Sequence, residues 1–363
     1  MLLFRKGSLS LNDTPAASGP ACVWLVLFDP LPELQPHIPA VAFDDLESRS
    51  LVFEQYLIQD IREQATLDDY LGGAETVGKQ AGWPGLAVGH TVWLQLGNDN
   101  ASTEMPSQGI FRAPALTAAL QPRIFPLSAE HSDVFPEPLA AAIAGARFVL
   151  VTVRLPGPAS EQLQSANDVL TRLEKLAAAP CGGQTTPVWL VTGFRGVARP
   201  AARPFESGAD ESQLHVPLWW TEPLSAGTRL QSLCGSFDLL PTLMELFQGN
   251  TSSTVPDAAV GTAAAIATGE TAGALSEPLS LLSSLLQGSK VGERLLRLRH
   301  DAWQGLRTSQ YFLVQPLRGP DEEDADPGEF AGQQLYLKPE DYWNVNNSIV
   351  SFAEIAREMA DGV

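Results

Sequence analysis

ARFVLVTVRLPGPASEQLQSANDVLTRLEKLAAAPCGGQTTPVWLVTGFRG, residues 146–196, is the stretch that decides the fold. Its first eight residues are a nearly unbroken apolar run rich in valine, the pattern of a strand buried on both faces. In EQLQSANDVLTRLEKLAAA (161–179), Leu163, Ala166, Leu170, Leu173 and Leu176 recur at three- and four-residue steps with charges opposite, which predicts an amphipathic helix. PVWLVTG then reads as a second buried strand. Strand, helix and strand in this order form a parallel βαβ unit, so the spacing predicts an α/β fold whose central sheet is covered by helices on both faces. The second strand runs into a glycine-flanked loop at its carboxyl end, the edge where open α/β sheets hold ligands. That loop carries Phe194 and Arg195, whereas a catalytic site would want carboxylates or imidazoles.

Working outward, VWLVLF (23–28) predicts a central strand ending at Asp29 and broken by Pro30. FDDLESRSLVFEQYL (43–57) predicts a short helix leading into a strand. Between residues 72 and 145 the chain is rich in Gly, Pro, Asn and Ser, and only HTVWLQL (90–96) reads as a strand. VPLWW (216–220) is a short apolar piece. FDLLPTLMELF (237–247) is a helix with Pro241 near its start, where the missing N–H is not needed.

The composition excludes several classes. A chain of 363 residues with 44% hydrophobic content has ample material for a large core and a satellite unit. Forty-two acids against twenty-three bases give a net charge of −19, which repels phosphate backbones and anionic lipid, so neither nucleic acid nor membrane is an expected partner. Cys22, Cys181 and Cys234 lie far apart without ligand or disulfide spacing. The apolar run ACVWLVLF (21–28) is too short to span a bilayer and follows a polar stretch, pointing to a cytoplasmic protein.

Five further blocks occur in order: VPLWWTEP, CGSFDLLPTLMELF, PLSLLSSLLQG, GLRTSQYFLVQPL and QQLYLKPEDYWNVNN, followed by the final helix SFAEIAREMADGV. Together they resemble the carboxyl half of the sulfatases, in the alkaline phosphatase superfamily. CVWLVLFDPL is similar to that family's opening strand with its metal-binding aspartate pair, and FDDLESRSLVFEQY to the segment preceding its nucleophile. The resemblance covers roughly residues 21–363 and implies an alkaline-phosphatase-like, sulfatase-like α/β fold with a mostly parallel sheet. It divides the chain into a polar segment (1–20), an α/β core (21–285) and a small carboxyl-terminal α+β subdomain (290–363). There TSQYFLVQPL and QQLYLK are expected to pair as antiparallel strands beside the last helix, with the acidic stretch GPDEEDADPGE between them exposed and mobile.

The family hydrolyses sulfate esters, with phosphate esters handled by relatives. It uses a nucleophile in a Cys- or Ser-x-Pro-x-Arg segment beside calcium or magnesium, which polarises the ester oxygens. This sequence departs from that pattern. No cysteine begins such a segment, and EQYLIQDIREQATLDDYLGG (54–73) offers Thr66 as its one hydroxyl outside tyrosine, which its position before Asp68 and Asp69 marks as a helix N-cap. The family's aspartate pair is here Asp29 followed by Pro30, and its TSDHG-like loop is TGFRG, so Phe194 and Arg195 stand where Asp and His are expected. One metal ligand remains of four. A guanidinium 4 Å from a dication, at an effective dielectric near 20, opposes it by about 8 kcal/mol, twice the figure for two unit charges. His37, His90, His131, His215 and His300 never approach ligand spacing. His215 lies in LHVPLWW, where the family commonly has LRVP.

The expectation is therefore a sulfatase-like pseudoenzyme with no bound cofactor and a vestigial site at Asp29, Phe194 and Arg195, acting as a binding or interaction module. The alternatives are an active sulfuric or phosphoric ester hydrolase with a non-standard site, and a structural partner of an active relative. Its partner would be a protein or a small anionic ligand. Arg62, Arg154, Arg199 and Arg203, with Arg195, are the bases nearest the expected cleft and the candidates for holding an anion.

Overall fold

The structure is a computed structural model describing residues 22–34, 38–62, 65–71, 90–97, 120–127, 137–155, 157–178, 187–197, 211–221, 226–248, 276, 278–282, 294–317, 332–338, 340–341, 344 and 346–361. Its centre is β1 (Val23–Asp29), every residue of which is buried, so both faces of the sheet are covered there. β1 pairs in parallel with β6 (Phe148–Arg154) on one side and β7 (Val188–Gly193) on the other. The helix predicted between the latter two is α4 (Ala159–Ala178), and all five residues of its expected apolar stripe are buried. β6 and β7 are thus parallel as expected but not adjacent, because β1 lies between them and the crossover spans one strand.

The remaining strands of this sheet are β2 (Leu51–Phe53), β4 (Thr91–Leu96), β5 (Arg123–Leu127), β8 (Leu218–Trp220) and β9 (Arg229–Leu230), giving the order β5-β4-β6-β1-β7-β8-β2-β9. β8 alone runs antiparallel to its neighbours β7 and β2. The segment 43–57 folds as read, with α1 (Val41–Ser48) leading into β2. α1 is tied to α4 through the Ala42 N–H, which donates to Asn167 Oδ1 at 2.9 Å, and through an Arg49–Glu174 ion pair. Within 72–145 the expected strand is β4, but β5 and α3 (Glu137–Ala144) were not legible. RIFPL in β5 is short, has a proline at an edge and carries no alternation, so its pattern cannot be told from that of a loop.

β3 (Tyr56–Leu57) and β10 (Cys234–Gly235) form a two-stranded ribbon beside α2 (Leu67–Tyr70), α5 (Glu211–Leu214) and α6 (Leu239–Gln248). A separate antiparallel sheet is made by β11 (Leu296–Arg299), β12 (Trp303–Arg307), β13 (Tyr311–Pro316) and β14 (Gln334–Leu337). β13 and β14 are the two strands expected to pair, with Tyr311 opposite Leu337. Period-two alternation splits this sheet between two cores. Phe312 and Val314 join the large core, while Leu313 and Leu335 pack with Ala356 and Met359 of α7 (Ala353–Asp361). Ahead of β11, Arg294 makes a bidentate pair with the fully buried Asp238, at 2.6 and 3.0 Å. The acidic stretch 319–329 lies outside the described residues.

Candidate functional site

The register of β6, β1 and β7 brings Arg154, Asp29 and Gly193 to one sheet edge, since Asp29 aligns with Arg154 and Phe28 with Gly193. This is the carboxyl edge of three parallel strands. Asp29 is 2% exposed. Arg195, in the loop after β7, donates from Nε to Oδ1 at 2.6 Å and from Nη2 to Oδ2 at 3.3 Å, a two-point guanidinium–carboxylate clasp. Its own side chain is 41% exposed, so the pair is buried at its anionic end and wet at its cationic end.

Backbone bonds fix the clasp. The Phe194 N–H donates to the Phe28 carbonyl at 2.7 Å, and the Leu31 N–H to the Arg195 carbonyl at 2.8 Å. The residue before Phe194 has to be glycine, because a Cβ at Gly193 would stand 2.7 Å from Leu31 Cβ and 3.0 Å from the Arg195 carbonyl oxygen. Phe194 is 6% exposed and stacks on Tyr70, with ring centroids 5.3 Å apart. Tyr70 Oη donates to the Gly193 carbonyl at 2.9 Å and lies 3.0 Å from Tyr56 Oη. Burial pushes both phenols well above their ordinary pKa, so each is a neutral hydroxyl and neither is a ready oxyanion nucleophile.

The other candidates divide. Thr66 is the N-cap of α2: its Oγ1 accepts from the Asp69 N–H at 3.2 Å, and the Asp69 carboxylate accepts from the Thr66 N–H at 2.9 Å. That is a capping box, and it commits the hydroxyl. Arg62 turns back onto the buried Asp60, with Nε 2.9 and 3.1 Å from its two oxygens. Hydrogen bonding to Asp60 raises the Arg62 pKa against the lowering effect of burial. Arg154 is exposed beside Asp29, and among the described residues its guanidinium makes no ion pair. Arg199 and Arg203 lie outside the described residues. The sequence reading missed Tyr56, Tyr70 and Asp60. Only the two-residue spacing from Asp60 to Arg62 offered a signal.

No family model and no curated protein sequence matches the chain. Solved structures do. The chain is similar to BT1596, a 2-O GAG sulfatase, with a TM-score of 0.56 and 12% identity over 94% of this chain and 91% of that one. It is similar over 94% of each chain to the phosphonate monoester hydrolase SpPMH from Silicibacter pomeroyi, at TM-score 0.53 and 11% identity. A protein in the alkaline phosphatase superfamily from Vibrio parahaemolyticus matches at TM-score 0.52 and 10% identity, over 95% and 86% of the two chains. The fold is alkaline-phosphatase-like and sulfatase-like. At these identities the likeness is one of architecture, and chemistry has to be argued from the side chains.

The sulfatase-like fold implies a divalent cation, and the residues at the carboxyl edge do not fit one. Both Asp29 oxygens are engaged by Arg195, and among the described residues no three of His, Cys, Asp and Glu converge as a ligand set. A hard cation wants about six oxygens, several of them anionic. Apart from this edge, an open cavity of about 540 Å³ lies over the β8-β2-β9 end of the sheet, with Leu34, Val52 and Pro217 among its apolar lining. Arg229 bridges Glu47 and Glu54 at its rim, and His215 Nε2 contacts the Glu54 carbonyl.

Proposed function

We propose that this sulfatase-like protein is catalytically silent and serves as a binding or interaction module, most simply as a pseudoenzyme. The observation that carries the reading is the Asp29–Arg195 clasp, which sets a guanidinium where the resemblance places metal ligands. The plug formed by Phe194 and Tyr70 supports it, since it puts apolar rings beside that edge. Thr66 supports it as well, since its hydroxyl donates to the Asp69 carboxylate at 2.6 Å and accepts from the Asp69 N–H within the capping box, which ties both groups to the helix start. The partner is a protein or a small anionic ligand, and not nucleic acid. No helix among the described residues is long and apolar enough to cross a membrane, and Cys22 and Cys234 are buried.

A second reading draws on the named activities of the fold neighbours: a sulfuric or phosphoric ester hydrolase with a non-standard site. Metal analysis of purified protein, combined with turnover of p-nitrophenyl sulfate and p-nitrophenyl phosphate, separates the two. The silent reading expects no stoichiometric calcium or magnesium and no turnover above background. Metal-dependent turnover that is abolished by Asp29→Ala establishes the hydrolase instead.

A further inference from the structure

We propose that the outer edge of β9, with the cavity beside it, is a peptide-docking site: an extended segment of a basic protein partner adds there as a further strand and lays an uncharged side chain into the cavity. The proposal rests on the reading of the chain as a binding module, and it names the surface and the chemistry of the partner.

β9 is the last strand of the eight-stranded sheet and pairs with β2 alone. The Val52 and Glu54 N–H groups donate to the Thr228 and Leu230 carbonyls at 2.8 and 2.9 Å. Alternation along the strand therefore turns the N–H and C=O of Arg229 away from β2, and among the described residues neither has a partner. The chain is exposed over 226–229 and again at Gln231. The opposite edge of the sheet is treated differently: β5 contains Pro126, which has no N–H to offer an incoming strand. β9 has no such block, and an unpaired row of main-chain groups is a template for strand addition. Two residues supply few main-chain bonds, so the groups beside the strand have to supply the rest of the affinity.

A strand added to β9 lies about 4.8 Å further out, and its residue beside Arg229 projects to the face that carries Arg229 and Val52. The cavity of about 540 Å³ opens on that face, with Leu34, Val52 and Pro217 as apolar lining. Its charges cancel, Glu47 and Glu54 standing against Arg229 and the buried Arg307. A charged side chain finds no net attraction there to offset its desolvation, whereas an uncharged one with an apolar body and a polar tip fits. Gln231 Nε2 donates to Glu54, while among the described residues Gln231 Oε1 and Gln55 Nε2 make no bond, which leaves an acceptor and a donor for that tip. The attraction for basic residues lies outside the cavity. The end of α1 runs against β9, where a Cβ at Gly227 would stand 3.6 Å from the Ser48 carbonyl oxygen. On α1, Asp44 and Asp45 are exposed, and among the described residues Asp44 makes no ion pair. With a net charge of −19 behind them, these acids select a segment whose uncharged central residue is flanked by lysine or arginine.

The experiment selects peptides from a displayed random library on the full wild-type chain. The strongest is then titrated by fluorescence anisotropy against wild type, Arg229→Met, Arg229→Pro, Leu34→Trp and Asp44→Lys. Proline is tolerated on an edge whose N–H faces outward, so Arg229→Pro removes the outward donor while keeping the β2 pairing, and Arg229→Met removes the guanidinium alone. The selected peptides should be basic around an uncharged residue. Arg229→Pro should bind roughly tenfold more weakly than Arg229→Met, the effect of one lost hydrogen bond. Leu34→Trp, which fills the cavity, should weaken binding, and Asp44→Lys should slow association and flatten its salt dependence. Should Arg229→Pro not fold, N-methylation of successive main-chain amides of the peptide decides instead, with loss expected at alternate positions. The proposal is overturned if Arg229→Pro binds as tightly as Arg229→Met, if N-methylation has no alternating effect, or if no basic peptide is enriched. A peptide indifferent to Arg229→Pro removes β9 as the site and leaves the binding-module reading in place, whereas metal-dependent turnover of p-nitrophenyl sulfate overturns that reading whatever β9 binds.

Discussion

The asymmetric burial of the Asp29–Arg195 pair makes a quantitative prediction for a double-mutant cycle. Asp29 is 2% exposed and Arg195 41% exposed, so the two partners do not stand to lose equally when separated. Arg195→Met strands a buried carboxylate. Breaking a fully buried pair costs about 3–5 kcal/mol and an exposed pair contributes about 0–1 kcal/mol, so a pair wet at one end should fall near 2 kcal/mol. Asp29→Asn leaves a guanidinium that water can reach, and the cost should be nearer 1 kcal/mol, mainly from a poorly matched amide. The double substitution strands no charge and should cost about 1 kcal/mol, leaving a coupling energy of about 2 kcal/mol. Urea denaturation at neutral pH, followed by tryptophan fluorescence and repeated at high salt, measures all four corners. High salt should reduce the coupling only partly, because the anionic end is buried. A coupling within about 0.5 kcal/mol of zero, or Asp29→Asn costing more than Arg195→Met, refutes the argument that the buried carboxylate depends on Arg195.

Three further outcomes are expected. Arg294→Met should destabilise by about 3–5 kcal/mol in urea, because Asp238 is 0% exposed and is held by Arg294 together with the Gly235 and Leu279 N–H groups. Tyr70→Phe should cost about 1–3 kcal/mol in the same assay, since it leaves the Gly193 carbonyl and the Tyr56 hydroxyl without the phenol that joins them. His300, stacked on Trp303, has its pKa lowered first by burial, against an opposing effect of Asp301. The unfolded chain therefore binds the proton more readily, and the contribution of His300 to stability is present above the unfolded value near 6.5 and is lost as pH falls through that value toward the lower folded one. Tm measured from pH 7 to pH 5 should fall less steeply in His300→Gln than in wild type, and parallel profiles would refute this.

What could be read from the chain follows from how local each feature is. α4 and the strands on either side of it were legible because their periodicities lie within single windows, and Thr66 because a cap is decided within four residues. That β1 lies between β6 and β7 was not legible, since no local pattern records which strands pair. The same limit hid Tyr70. Its helix is four residues long, and its hydroxyl meets Gly193 across 123 positions of sequence. Arg195 was legible as a change of charge at an expected position. Its clasp on Asp29 spans 166 positions and required the three-strand register to bring the two edges together.

The same register bears on which partner the molecule is built to meet. An anionic ligand at the carboxyl edge needs donors that are not already committed; among the described residues Arg154 offers one, while Arg195 is held by Asp29 and Arg62 by Asp60, each through two contacts or more. Away from that edge, Arg49 faces Asp45 and Glu174, and Arg229 faces Glu47 and Glu54. Taking either cleft arginine for a ligand strands a carboxylate that is 2% or 7% exposed, an expense the ligand's own bonds have to exceed. The chain's net charge of −19 adds a long-range repulsion that an anion meets before contact. Both terms reverse for a protein partner with a basic face, which is drawn in by the field and can bind without opening either pair. Such association should weaken steeply with added salt, mainly through a slower on-rate. A phosphate or sulfate soak that places the anion on both Arg154 and Arg195, with Asp29 released, decides for the anionic ligand instead.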